Sequence, residues 1–204
     1  MATSRRWGRG ARVDDLDTGR KKLLQAAITC FVSKGIQATT IEDIANAANV
    51  TRRTVYRYYA GKSELLEAVV ELERKRLFER MHQAAEPYHQ DFPRMLEECL
   101  ASAAQLLSPN MGAPDLISEQ NAASAIPHML GEESLAEWHG LLEEPYANYR
   151  RDHGDIGSLE QIIDVLGRLV LSFRYLPCSA DDIRRAMDAF LTLSRRKPSS
   201  LRLV

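Results

Sequence analysis

TTIEDIANAANVTRRTVYRYYAGKSELLEAV, residues 39–69, contains the start signals of successive short helices. Thr40 stands where a helix N-cap is expected, and Asp43 follows three residues later as a capping partner, which predicts a helix from about Ile41. Asn49 lies where a tight turn needs a residue that tolerates positive φ. Thr51 can then cap a second helix. The stretch therefore predicts two short helices joined by a tight turn.

A third helix is predicted before this stretch. Between Gly19 and Lys34 the apolar residues recur at steps of three and four, which makes one helix face, and Gly35 is a natural stop. Residues 1–18 show no such periodicity and are predicted to form a flexible basic tail. The sequence thus predicts a three-helix domain over residues 19–62 and a larger helical domain over residues 63–204.

The helix after Thr51 is predicted to have two different faces. At about 100° per residue, Val55, Tyr58 and Tyr59 fall on one side, which packs against the other helices. The opposite side carries Arg52, Arg53, Tyr56 and Arg57. Guanidinium groups can bind guanine edges or phosphates, and helix N-termini at Thr40 and Lys62 offer amides to phosphates. The alternative is that these arginines only solvate an exposed face.

The distribution of charge favours a polyanionic partner at one end of the chain. The net charge is −1, but residues 1–62 hold twelve Lys or Arg against five acids, about +7, which leaves the remainder at about −8. Arg5 to Arg12 in the tail could add contacts to phosphates or to a minor groove.

Residues 20–70 resemble the DNA-binding domain of the tetracycline-repressor (TetR) family. The resemblance is carried by Ile44-Ala45, Ala48-Asn49-Val50, Thr54-Val55-Tyr56, Tyr58-Tyr59 and the following Lys62 and Leu65. Asn49 departs from the family's common Gly, and Tyr59 departs from its common Phe. The resemblance implies an all-α homodimer whose carboxyl-terminal domain carries the dimer interface and a small-molecule pocket.

The resemblance also implies which residues contact DNA. Backbone contacts are expected from Thr40, Tyr56, Tyr58 and Lys62, and base contacts from Arg52, Arg53, Thr54 and Arg57. Thr51 is included in the same surface because it caps the helix that carries these arginines.

Other classes of site find little support in the sequence. Cys30, Cys99 and Cys178 are odd in number and form no CxxC pair, and the five histidines lack zinc-binding spacing, so neither a metal nor a cofactor is expected. No nucleophile motif or phosphate-binding loop is present, so we expect no enzyme. The apolar runs are too short to span a membrane, and a cytoplasmic protein is expected.

The larger domain is predicted to contain helices over 63–85, 92–107, 114–125, 132–151, 158–175 and 180–193, with Pro127 among the separators. Apolar residues wrap most of the helix predicted over 158–175, so it must be covered on several sides. Together with Ile183, Met187, Phe190 and Leu191 it suits a four-helix seam between two subunits. Burial inside one large monomer would give the same pattern.

A set of large side chains in this domain could line an apolar ligand pocket, although residues of this kind at helical spacing also form ordinary core. The candidates are Met95, Met111, His128, Met129, Trp138, Tyr146, Tyr149 and Phe173.

The sequence predicts a ligand-responsive DNA-binding transcriptional regulator that acts as a repressor. A homodimer would bind a near-palindromic double-stranded DNA operator and be released by a small-molecule effector. The alternative is an architectural DNA-binding protein or a helical interaction protein without effector control.

Overall fold

A computed structural model describes residues 13–107, 121–154, 156–173, 175–176 and 178–194, and in these ranges the chain is helical, without strands. The prediction of an all-α fold is confirmed. The helices are α1 (Val13–Lys34), α2 (Ile41–Ala47), α3 (Arg52–Tyr58), α4 (Lys62–Ala85), α5 (Phe92–Leu107), α6 (Ala122–Met129), α7 (Glu132–His153), α8 (Leu159–Ser172) and α9 (Ala180–Ser194), with a 3-10 turn at Glu86–Tyr88.

The first helix begins earlier than predicted. α1 starts at Val13, six residues before Gly19, so the predicted tail of residues 1–18 is longer than the part of the chain that precedes the helix. The sequence VDDLD at residues 13–17 accounts for the earlier start, because an acidic composition favours the amino-terminal part of a helix. Arg5 to Arg12 lie outside the described residues.

The signals between α1 and α4 are confirmed in detail. Thr40 caps α2 in a reciprocal capping box with Asp43, and Thr51 caps α3 by accepting from the Thr54 N–H. Asn49 has φ 53°, the left-handed conformation that its position in the turn required. The spacing of the two short helices is therefore set by these caps and this turn.

The described residues form two buried cores, and α4 contributes residues to both. The first, which we call the head core, contains apolar residues of α1, α2 and α3 together with Leu65, Leu66, Val69 and Val70 of α4 and Ala125 of α6. The second, the body core, begins at Leu77 and extends through α5, α7, α8 and α9. We use head for residues 13–70 and body for the described residues after them. The predicted domain boundary at residue 62 marks the start of α4, but packing in the head continues for two more turns.

The helix around Pro127 differs from the prediction. The sequence predicts a helix over 114–125 that stops before Pro127, whereas α6 runs from Ala122 to Met129 with this proline inside it. Proline removes only one N–H from the ladder, and the helix continues for less than one turn until the Leu130 N–H bonds to the Ile126 carbonyl. Residues 108–120 lie outside the described residues.

Most of the apolar surface of α8 is covered within one chain. Ile162, Ile163, Leu166 and Val170 are buried in the body core, as are Ile183, Met187 and Leu191 of α9. Val165 remains 41% exposed, and Leu169 and Phe190 are only partly buried. Burial within the monomer therefore accounts for most of the pattern, and a narrow apolar strip is left at the surface. Across the described parts of the chain, no helix is both long and apolar enough to span a lipid bilayer.

Candidate nucleic-acid interface and ligand site

The outer face of α3 presents exposed side chains, as predicted from helical spacing. Tyr56 is 50% exposed, and the side chain of Arg52 is 61% exposed with Glu42 3.8 Å away as a distant ion-pair partner. Arg53 is exposed and has no side-chain partner among the described residues. Solvated cations that are not engaged by the protein can be redirected to a polyanion at little cost. α3 therefore offers a cationic surface that is accessible in this chain.

Tyr58 occupies a different place from the one expected of a DNA-backbone contact. Its ring is buried in the head core, because it lies on the same side of α3 as Val55. The Arg57 guanidinium donates to the Tyr58 hydroxyl over 3.1 Å and lies 4.9 Å from the ring centre. Tyr58 thus positions Arg57 at the edge of the surface.

The amino terminus of α2 is fixed by a group of interacting polar side chains. The Thr40 N–H donates to an Asp43 carboxylate oxygen over 2.9 Å, and Lys34 at the end of α1 forms an ion pair with the same carboxylate. The hydrogen bond from Lys34 and those from the Thr40 backbone and hydroxyl lower the pKa of Asp43 to about 2. Thr40, a predicted phosphate contact, is therefore held in place by its capping partner.

The amino terminus of α3 is also capped by a threonine side chain. The Thr51 hydroxyl accepts from the Thr54 N–H over 3.2 Å, and the two hydroxyl oxygens lie 3.0 Å apart. Both threonines were predicted in the DNA surface. Their hydroxyls lie within hydrogen-bond distance of each other, so they help to set the orientation of the helix that carries the arginines.

Lys62 has a structural role that the sequence did not predict. Its ammonium group donates to the carbonyl oxygens of Ile36, over 3.0 Å, and Gln37, over 2.9 Å. These bonds tie the start of α4 to the turn between α1 and α2. An ammonium group has three N–H donors, so a phosphate contact by Lys62 remains a prediction.

The same turn is held from its other side by α6. Asn121 is 1% exposed, its side-chain oxygen accepts from the Ile36 N–H over 2.8 Å, and its amide donates to the Phe31 carbonyl over 3.2 Å. Gln37 donates to the Ser124 hydroxyl beside it. No local sequence signal marks this joint, because the bonded residues are 85 to 90 positions apart.

The predicted ligand residues do not form one lining. Met95, Trp138, Tyr146, Tyr149 and Phe173 are buried together in the body core, whereas Met129 packs against the head core. Met95 borders an open cleft of 420 Å³ beside His82 and His89, while Met129 and Trp138 border a separate cavity of 20 Å³. Met111 and the side chain of His128 lie outside the described residues.

Comparisons with known proteins agree with the geometry of the head. The family profile described as bacterial regulatory proteins, tetR family, matches residues 23–69, the segment that contains α2, α3 and the first turns of α4. Residues 23–69 are therefore identified as a TetR-family DNA-binding domain. The HTH-type transcriptional regulator SrpR of Pseudomonas putida is 41% identical over 51 residues, which cover 25% of this chain and 24% of SrpR.

Other proteins are similar to this chain either in sequence or in fold. The HTH-type transcriptional repressor KstR2 of Mycolicibacterium smegmatis is 37% identical over 51 residues, 25% of either chain. The matched segment thus spans about a quarter of the length of these curated relatives. A TetR-family regulator from Pectobacterium atrosepticum superposes with a TM-score of 0.64 at 17% identity, covering 91% of this chain and 96% of that chain. The head is thus related in sequence, and the body is similar in fold.

Proposed function

We propose that this TetR-family protein is a ligand-responsive transcriptional repressor that binds a near-palindromic DNA operator as a homodimer. The observation that carries the proposal is the outer face of α3, where Arg52 and Arg53 are exposed beside Tyr56. A seven-residue helix with such a face fits a major groove, in which arginine can bind guanine bidentately. Arg53 is the candidate for base reading, and Tyr56 is the candidate for a phosphate contact.

The helix termini beside α3 support the same placement on DNA. Thr40 at the start of α2 and Lys62 at the start of α4 are the candidates for phosphate contacts, together with Thr51, Thr54, Arg57 and the hydroxyl of Tyr58. Thr40 and Lys62 are held by hydrogen bonds inside the head, so these contacts would need little reordering on binding.

A second copy of the chain would supply the second readout helix. The strip on α8 that includes Val165 and Leu169, with the partly buried Phe190 of α9, is the apolar surface that we assign to this contact. Two α3 helices related by two-fold symmetry would enter successive major grooves about 34 to 36 Å apart. The operator is therefore expected to have two inverted half-sites at that spacing.

Release by a small molecule would act through α4, which reaches both cores, and through α6, which packs against the head core and borders the small body cavity. Arg74 of α4 bonds to the Glu133 carbonyl and to the carboxylate of Glu137 at the start of α7, while Asn121 precedes α6 and holds the head turn. A ligand that binds one arrangement of these helices better than another shifts the population of the DNA-binding arrangement. The candidate ligand residues remain Met95, Met111, His128, Met129, Trp138, Tyr146, Tyr149 and Phe173.

Selection from a random DNA library with the full chain tests the proposal. The expected result is one enriched inverted repeat, protected in a footprint of limited length. Arg53→Ala should then weaken binding to that site by about 1 to 3 kcal/mol while changing binding to unrelated DNA little. Lys21→Ala, which removes a cation of α1 outside α3, is the matched control. Uniform protection of all sequences would instead indicate an architectural protein.

A further inference from the structure

The small cavity in the body is bordered by four helices, α4, α6, α7 and α8. Its walls include Phe78 of α4, Ser134 and Trp138 of α7, and Gly167 of α8, and Leu130 closes it at the turn between α6 and α7. Its volume of 20 Å³ is room for about one water molecule or one hydroxyl group. The remaining walls are Arg74 and the apolar residues Leu77, Met129, Val170 and Leu171.

A hydrogen-bond donor without a partner faces this cavity. Trp138 is 5% exposed, and its ring makes an edge contact with Phe78 at 5.2 Å between centroids. Its indole N–H has no acceptor among the described residues. The indole nitrogen lies 3.8 Å from the place where a Cβ on Gly167 would stand. A buried donor left unpaired costs free energy that an acceptor placed in the cavity would recover.

The polar groups around the cavity define the chemistry of the acceptor. The Ser134 hydroxyl donates to the Met129 carbonyl over 2.5 Å, so it has only lone pairs left to offer. Ser134 and Trp138 are four residues apart and share one face of α7. A hydroxyl group between them could accept from the indole and donate to the serine. Arg74 nearby is already neutralised by Glu71 and Glu137, which gives an anion no free counter-charge.

Leu130 is the lining side chain that can move aside. Its side chain is 45% exposed, and its Cδ2 atom would lie 3.5 Å from a Cβ on Gly167. Because nearly half of Leu130 already meets solvent, turning it outward would expose less apolar area than turning out a fully buried leucine. A ring could follow a hydroxyl group into the space that Leu130 vacates.

We infer that this cavity is the polar end of a binding site for a small uncharged hydroxylated ligand, such as a phenol or a cyclic alcohol. The hydroxyl oxygen accepts from the Trp138 indole and the ring replaces Leu130. The site includes two of the residues proposed above, Met129 and Trp138, and it rests on the proposed function only for the link between ligand and DNA release.

The test follows the indole N–H resonances of the ¹⁵N-labelled full chain, which has two tryptophans, Trp7 and Trp138. Phenol is expected to move the Trp138 resonance downfield in a saturable way, while the Trp7 resonance serves as an internal control. Toluene, which matches phenol in size but lacks the hydroxyl, should bind at least about tenfold more weakly, the value of one good hydrogen bond. Benzoate should not compete with phenol.

Gly167→Ala is the decisive variant, because its methyl group would meet neighbours only at ordinary contact distances yet fill the cavity. It should keep a folded spectrum and lose the phenol response. Trp138→Phe keeps the ring and should weaken phenol binding, measured by calorimetry, about tenfold. A Trp138 resonance that phenol leaves unmoved, equal binding of toluene, tighter binding of benzoate, or an unchanged response in Gly167→Ala would each overturn the inference.

The outcomes also separate this inference from the proposed function. Operator selection is performed on the chain without any probe, so a selected palindrome together with a flat phenol titration refutes the ligand site alone. Saturable phenol binding without any preferred DNA sequence refutes the repressor alone.

Discussion

The head and the body are both helical, but they are organised by contacts of different range. In the head, caps and turns join residues three to nine positions apart, such as Thr40 with Asp43 and Lys34 with Asp43. The body core assembles residues from Leu77 to Leu191, and few of its contacts are marked by a local sequence signal. Short-range polar contacts thus define the proposed DNA-binding surface of the head, whereas the body depends on long-range apolar packing.

The largest effects are expected from cavities made in either core. Phe31 in the head is 0% exposed, and so is Leu96 in the body. Phe31→Ala should cost about 3 to 5 kcal/mol and Leu96→Ala about 2 to 5 kcal/mol, because each leaves a cavity. Hydrogen exchange should show lost protection in α1 and α2 for the first and in α5 and α9 for the second. If each variant lost exchange protection equally in all helices, the head and the body would unfold as one unit.

The joint between the two regions gives the next largest effect. Asn121→Ala leaves the buried Ile36 N–H without its acceptor, whereas the Phe31 carbonyl still accepts from the Gly35 N–H. The expected loss is about 1 to 3 kcal/mol in urea unfolding, with faster exchange of the Ile36 amide. Gln37→Ala removes only the exposed bond to Ser124 and should stay within about 0.5 kcal/mol. If the two variants cost the same, Asn121 does not join head and body as described.

Helix caps should have similar effects in both regions, since a cap is a local device. Thr51 caps α3 in the head, and Ser158 caps α8 in the body by accepting from the Gln161 N–H. Replacement of either by Ala should cost about 1 kcal/mol in chemical denaturation. Thr51→Ser and Ser158→Thr keep an acceptor and serve as controls. A much greater cost at Ser158 would mean that its role in packing exceeds its role as a cap.

The smallest effects are expected from two exposed carboxylates in acid. The pKa of Asp43 is lowered to about 2 by Lys34 and Thr40, and that of Asp182 to about 2 by Ser179 and Arg185. A lowered pKa in the folded state stabilises the fold above the ordinary value of 3.8, and this contribution is lost as pH falls toward about 2. The stability difference between the parent and Asp43→Asn or Asp182→Asn should therefore shrink from pH 5 to pH 2. Urea midpoints at several pH values measure it, and a difference that stays constant would contradict the assigned pKa values.

The sequence predicted the head well because its determinants lie close together along the chain. Thr40, Asn49 and Thr51 each act on a backbone group within three residues or on their own φ, so a single sequence displays cause and effect together. Helical spacing likewise placed Val55 on the packed face of α3 and Arg53 on its exposed face. It also placed Tyr58 on the packed face, although family resemblance had included this residue among the DNA contacts.

The rest could not be predicted because the partners are distant. Lys62 bonds to carbonyl groups 25 and 26 residues away, and Asn121 bonds across 85. A polar side chain in a sequence carries no sign that it will be buried against a particular turn. The ligand candidates show the same limit. Helical periodicity identifies large apolar residues such as Met95 and Met129 but does not show that they pack in different cores.

α4 is a single uninterrupted helix whose two halves are embedded in different cores. From Arg74 back to Lys62 it measures about 18 Å at 1.5 Å per residue, so a tilt of about 5° centred on Arg74 would carry Lys62 through about 1.6 Å. Because Leu65 and Val69 are packed in the head core, α3 would move with that end of α4. In the proposed repressor α4 would therefore act as a lever arm, in which a small tilt at Arg74 becomes a larger displacement of α3 without any flexible hinge.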